Sequence, residues 1–78
     1  MNRYFFHIYN DDITLDDEGV ELPDLNAARQ RALREARLLA AESVVEHGHL
    51  ILHHRIDIAM ADETVATVRF GDAIQVQA

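Results

Sequence analysis

Four of the chain's five aromatic residues fall in one run, Arg3-Tyr4-Phe5-Phe6-His7-Ile8-Tyr9. Such a run is extended by preference, and successive strand residues point to opposite faces. Bulky groups therefore stand on both sides of whatever sheet this segment joins. A 78-residue chain has one long helical segment to offer and can cover one of those sides. The other side calls for a partner, and this imbalance constrains the fold and its use more than any other feature.

The remaining pattern is that of a single domain over residues 1–78. Residues 3–9 read as strand one, and Asn10-Asp11 as a tight turn. Residues 12–16 give a short second strand with Ile13 and Leu15 on one face. Asp17-Glu18-Gly19 breaks the pattern, and Val20-Glu21-Leu22-Pro23 leads in extended form to a helix. Asp24 is a good N-cap, Leu25 the first helical residue, and Gly48 a natural left-handed C-terminal stop. Leu25, Ala28, Ala32, Ala36, Leu39, Ala40 and Ser43 share one face of that helix. Residues 50–60 read as a third strand, with Ile56, Ile58 and Met60 opposite Arg55, Asp57 and Ala59. Residues 64–70 make a fourth, and Gly71-Asp72 turns into a tail. The expected class is α+β in ββαββ order: a four-stranded antiparallel sheet with one long helix on one face. The helix, roughly 34 Å long, outruns a strand of about 24 Å, so Val44 and Val45 should project as an apolar rim.

Composition narrows the functions open to such a domain. Net charge is −7, and seven carboxylates lie between Asp11 and Asp24 with no basic residue among them. An acidic surface repels a phosphate backbone, so a nucleic acid partner is disfavoured. No cysteine is present, which removes thiolate catalysis, disulfides and cysteine-based zinc sites, and fits a reducing compartment. The N-terminal segment lacks the charged and apolar regions of a signal peptide, and no apolar run is long enough for a membrane span. The expectation is a soluble, cytoplasmic protein with no membrane partner.

Chemistry-bearing residues are few. All seven basic residues are arginine and the single serine, Ser43, lies on the apolar face of the helix, so most covalent mechanisms lack a nucleophile. The three glycines stand apart, at 19, 48 and 71, and form no phosphate loop. The reading is not an enzyme, with no catalytic residues and no cofactor. His47, His49, His53 and His54 are the candidate metal ligands, with His7 on strand one. Adjacent His53 and His54 should point to opposite faces, and polar surface histidines are the favoured alternative. The carboxylates around Gly19 lack the alternation of a calcium loop. Gln30, Arg34 and Arg37 form a solvated stripe opposite the alanine face, with Arg31 to one side and placed to pair with Glu35.

The opening Arg3-Tyr4-Phe5-Phe6-His7-Ile8, the central Asp17-Glu18-Gly19-Val20-Glu21-Leu22-Pro23-Asp24-Leu25 and Ala27-Ala28-Arg29 together resemble a family of short uncharacterised bacterial proteins, a domain of unknown function. The resemblance covers nearly the whole chain. It implies that Tyr4, Phe6, His7, Asp17, Gly19, Leu22, Pro23, Asp24 and Leu25 form a shared framework, and it implies no reaction or ligand. A fainter likeness is to the partner-binding domain of HicB-type antitoxins, whose glycine-rich segment and DNA-binding extension are missing here.

The expectation is therefore a self-associating binding or structural module, a homodimer. Its interface candidates are Tyr4, Phe5, Phe6, Tyr9, Val44 and Val45, with strand register deciding whether Phe5 and Tyr9 or Tyr4, Phe6 and Ile8 face outward. The alternatives are an antitoxin-like regulator of a small basic protein and a histidine-rich binder of divalent metal.

Overall fold

The computed structural model describes residues 1–77 as an antiparallel sheet with a long helix across one face. The elements are β1 (Asn2–Tyr9), β2 (Ile13–Thr14), β3 (Val20–Leu22), α1 (Leu25–His47), β4 (Arg55–Met60), β5 (Glu63–Arg69) and a short α2 (Phe70–Ala73). The sheet runs β2-β1-β4-β5, and β3 joins β1 as a fifth strand. The α+β class and the antiparallel pairing hold, while the strand count and the ββαββ order need correction.

The helix follows the sequence closely. Asp24 caps it, its carboxylate accepting the Ala27 N–H at 2.8 Å, and Gly48 ends it in the left-handed region with φ of 70°. Ala28, Ala32, Ala36 and Ala40 are all buried, one per turn at spacing four. A ridge of methyl groups lets the helix axis lie close to the sheet, where Ile56, Ile58, Val68 and Phe70 complete the core.

Three departures have identifiable causes. Val20–Leu22 is a strand because its backbone pairs with Asn2–Tyr4 of β1, a long-range contact that three residues before a proline do not announce. Residues 50–54 are not strand: the His54 N–H closes a turn on the Ile51 carbonyl at 3.3 Å. The carbonyls of His54 and Leu52 are taken up instead by the N–H groups of Phe70 and Gly71. Phe70 opens α2 rather than ending a strand. That helix is latched by Arg37, whose Nε donates to the Ala73 carbonyl at 2.8 Å. Arg37 thus leaves the solvated stripe the sequence assigns to it.

β4 and β5 pair with a shift in register between Ile58 and Ala59. Ile56 and Ile58 face the helix, and Ala59, although buried, lies outside the main core cluster on the opposite side. The hairpin joining them turns through Ala61 and Asp62, with Ala61 at φ of 53°. A side chain in that region strains against its own backbone by about 1–2 kcal/mol. Ala61→Gly should therefore raise stability by about 0.5–1 kcal/mol, after the extra entropy of an unfolded glycine is subtracted. Chemical denaturation midpoints of the two proteins check this.

Candidate interface on the open sheet face

Register decides which rings face out. Phe6 pairs with Ile58 and Ile8 with Ile56, so Tyr4, Phe6 and Ile8 face α1. Tyr4 is 2% exposed and belongs to the core, which removes it from the interface candidates. Phe6 packs against the same core and carries the Arg31 guanidinium over its ring at 5.7 Å. Arg31 therefore shields an aromatic edge, and it forms no ion pair with Glu35 among the described residues. Phe6 is consequently a poor candidate too, because its outer edge is already occupied.

Phe5, His7 and Tyr9 point the other way, onto a face that no element of the described residues covers. Three cross-strand rows organise it: Phe5 with Ala59 and Thr64, His7 with Asp57 and Thr67, Tyr9 with Arg55 and Arg69. In the middle row one oxygen of Asp57 accepts from Arg55 Nε at 3.1 Å and from Thr67 Oγ1 at 3.0 Å. The Arg55 guanidinium lies over the Tyr9 ring at 4.2 Å, a cation–π geometry that fixes both groups. The Phe5 and His7 rings run nearly parallel at 6.5 Å. Ile13, at 67% exposed, and Leu15, at 64%, extend the apolar area along the outer edge.

Charge on this face is divided along the strands. Arg55 and Arg69 stand directly opposite each other at the Tyr9 end, a like-charge pair that a sheet does not favour. Asp57 neutralises Arg55, while no carboxylate forms an ion pair with Arg69 among the described residues. At the other side of the face Asp17 and Asp62 border the depression between Phe5, Tyr9 and Leu15.

The loop between β2 and β3 holds the outer edge in place through Asp16. Its carboxylate accepts N–H bonds from Phe6 at 3.1 Å and from Glu18 and Gly19 at 3.0 Å each. Its own N–H donates to Nδ1 of His7 at 3.0 Å, so that nitrogen carries the lone pair and the ring proton sits on Nε2. Burial pulls the Asp16 carboxyl upward. The N–H donors of Gly19, Phe6 and Glu18, with the His7 ring nearby, outweigh it and hold the group below its ordinary range. Of the two adjacent aspartates the family resemblance implies Asp17 as part of the framework, yet Asp16 is the anchor and Asp17 is exposed.

Gly19 closes the same loop at φ of +72°, where an added Cβ would lie 2.9 Å from Arg3 Cγ and 3.0 Å from both Phe5 Cε1 and the Tyr4 carbonyl oxygen. The backbone must pass here without a side chain.

The remaining candidates lie elsewhere. Val44, 47% exposed, and Val45, 84% exposed, project from the last turns of α1, in the layer away from the open face. The six interface candidates therefore do not form one surface. The histidines come together only in pairs: His47 and His49 stack at 5.4 Å, and His53 meets His54 edge-on at 5.5 Å. No group of three metal-capable side chains assembles among the described residues. His54 is the unexpected one, 8% exposed and edge-on to Phe70.

Two outcomes follow for the anchored loop. Asp16→Ala should cost about 2 kcal/mol at neutral pH by stranding three N–H donors. Because the folded carboxyl titrates below its unfolded value, its contribution is present above about pH 4 and is lost as pH falls through the lower folded value. The gap between wild type and variant should close across that acidic window, as denaturant titrations at stepped pH would show. Gly19→Ala should cost about 2–3 kcal/mol, from backbone strain and the crowded Cβ together, and a melting curve measures it.

No helix among the described residues is long and apolar enough to cross a membrane. No curated protein and no solved structure matches the chain. Residues 3–71 match the family model described as "Domain of unknown function (DUF6894)", and the chain, carrying the aromatic strand, the anchored loop and the capped helix within that span, belongs to this family.

Proposed function

We propose that the domain is a soluble, cytoplasmic, non-enzymatic module that pairs with a second copy of itself through the open sheet face. The observation that carries the reading is the division of charge across that face, with Arg55 and Arg69 at one end and Asp17 and Asp62 toward the other. A two-fold axis lying in the interface across the strands sets the basic end of one copy over the acidic side of its partner, strand over strand. Arg69 then gains the carboxylate it lacks alone, while Phe5, Tyr9, Ile13 and Leu15 bury against apolar residues of the second copy.

Size sets the strength. A face of four strands at about 4.8 Å and seven residues at about 3.3 Å measures roughly 19 by 23 Å, so a face-to-face pair hides on the order of 1,000 Å². That is the lower end for specific interfaces, and it implies reversible association in the micromolar range. A non-enzymatic role is supported by Ser43, whose hydroxyl donates to the His49 carbonyl at 3.3 Å and not to an imidazole nitrogen.

Sedimentation velocity across a micromolar concentration series tests the pairing. A monomer–dimer equilibrium is expected, weakened about tenfold or more by Arg69→Glu, which places like charges together. The double variant Arg69→Glu with Asp62→Arg restores opposite charges across the axis and should recover most of the loss. A wild type that stays monomeric at hundreds of micromolar would end this reading.

A further inference from the structure

One hydrogen bond of the anchored loop differs in kind from the rest. The Asp16 carboxylate accepts backbone N–H bonds from Phe6, Glu18 and Gly19, and it keeps that capacity as long as it is ionised. The Asp16 N–H instead donates to Nδ1 of His7 at 3.0 Å. That bond exists only while Nδ1 holds a lone pair, and imidazole is the side chain whose charge ordinarily changes between about pH 5 and pH 8.

A second proton on this ring has one place to go. Nε2 already carries the ring proton, so a proton taken up from solvent binds Nδ1 and sets one N–H against another. Two donors cannot share a 3.0 Å contact. Either the ring turns about its Cβ–Cγ bond or the loop lifts away, and in both cases the half-buried Asp16 N–H loses its acceptor.

We propose that His7 is a proton-operated clasp on the loop from Leu15 to Gly19, closed while the ring is neutral and released when it is charged. The groups that face the ring suit a charged state. Asp57 of β4 stands directly across from His7, and Asp16, Asp17 and Asp62 border the same depression. Phe5, nearly parallel to the ring, and Thr67 of β5 add no charge. The cations of this face, Arg55 and Arg69, stand one row away in register with Tyr9, and Arg55 is already held by Asp57. A charged ring that swings off Asp16 therefore has carboxylates to receive its new donor. The window is separate from that of the Asp16 carboxyl, which titrates below its ordinary range and stays ionised down to about pH 5. Leu15 directly precedes the anchor, and Gly19 lies close against Phe5, so release reshapes the rim of the open face. Where two copies pair through that face, release loosens the pair. This last consequence rests on the pairing proposed above, and the clasp does not.

Nuclear magnetic resonance of the intact chain, from about pH 8 down to about pH 5, tests the clasp. At the upper end the ring nitrogens of His7 should show the proton on Nε2 alone. As pH falls, the Asp16 amide proton should move upfield on the same titration curve as the His7 ring. Its protection from solvent exchange should drop about tenfold or more. His7→Asn places an amide oxygen where Nδ1 stood and takes up no proton, so its Asp16 amide should hold position throughout. A proton on Nδ1 at the upper end, an Asp16 amide that does not follow His7, or the wild-type shift reproduced in His7→Asn would each overturn the clasp. Sedimentation at the two ends of the range reads the consequence for pairing, which should weaken several-fold more on acidification in wild type than in His7→Asn. Equal weakening in both proteins would sever that link. A chain monomeric at both ends would end the pairing reading, while the resonance result alone decides the clasp.

Discussion

Everything in the sheet is referred to β1, and β1 is held on its outer edge by a side chain standing in for a strand. One edge pairs with β4 over five residues, Phe5 to Tyr9. The other is divided between β3 at Asn2–Tyr4 and β2 at Ile8–Tyr9. Between those two stretches the Phe6 N–H is met by the Asp16 carboxylate, and the Asp16 N–H in turn finds His7. The same carboxylate ties down the two N–H groups that follow in the loop. An unpaired stretch of strand would otherwise leave backbone donors half-buried, each costing about as much as a lost hydrogen bond. A single residue thereby lets one strand serve as the centre of the sheet with little additional chain.

That arrangement explains how a small domain carries aromatic residues on both sides of its central strand. On the helix side Tyr4 is enclosed, and Phe6 is finished by a guanidinium from α1. On the open side Phe5 and Tyr9 are each partly covered, by the loop held at Asp16 and by Arg55 respectively. The imbalance is thus reduced within one copy, though not removed: Ile13 and Leu15 stay well exposed beside those rings.

How much of this was readable from residues alone differs by element. The helix was legible from end to end, because Asp24, Gly48 and the alanine spacing act locally and leave little to tertiary context. The α+β class followed from the same periodicities. β3 was not legible, since its three residues become a strand only through Asn2–Tyr4 far back in the chain. Nor could the outward face of β1 be chosen in advance. That choice belongs to the pairing with Ile56 and Ile58, because both alternations of β1 carry bulky aromatic rings. Neighbouring residues of one type were likewise indistinguishable. Asp16 and Asp17, or His53 and His54, differ in burial and partners only once the loops around them are placed. Arg37 read as solvated because a carbonyl at Ala73, distant in sequence, is invisible to helix geometry.

The pairing of β1 with β4 has a bearing on biosynthesis. Phe6 waits for Ile58, and the stretch between them includes the entire long helix. Until the ribosome has made residues near 60 the aromatic strand has only two short neighbours and a carboxylate to hold it. A nascent chain therefore carries a ring-rich β segment, charged only near its start at Arg3, with its main edge bare until β4 emerges, the kind of segment that seeks other strands. Closing the sheet waits until β4 has been made. The crowd of carboxylates placed directly after that segment, from Asp11 to Asp24, keeps emerging copies apart while they wait.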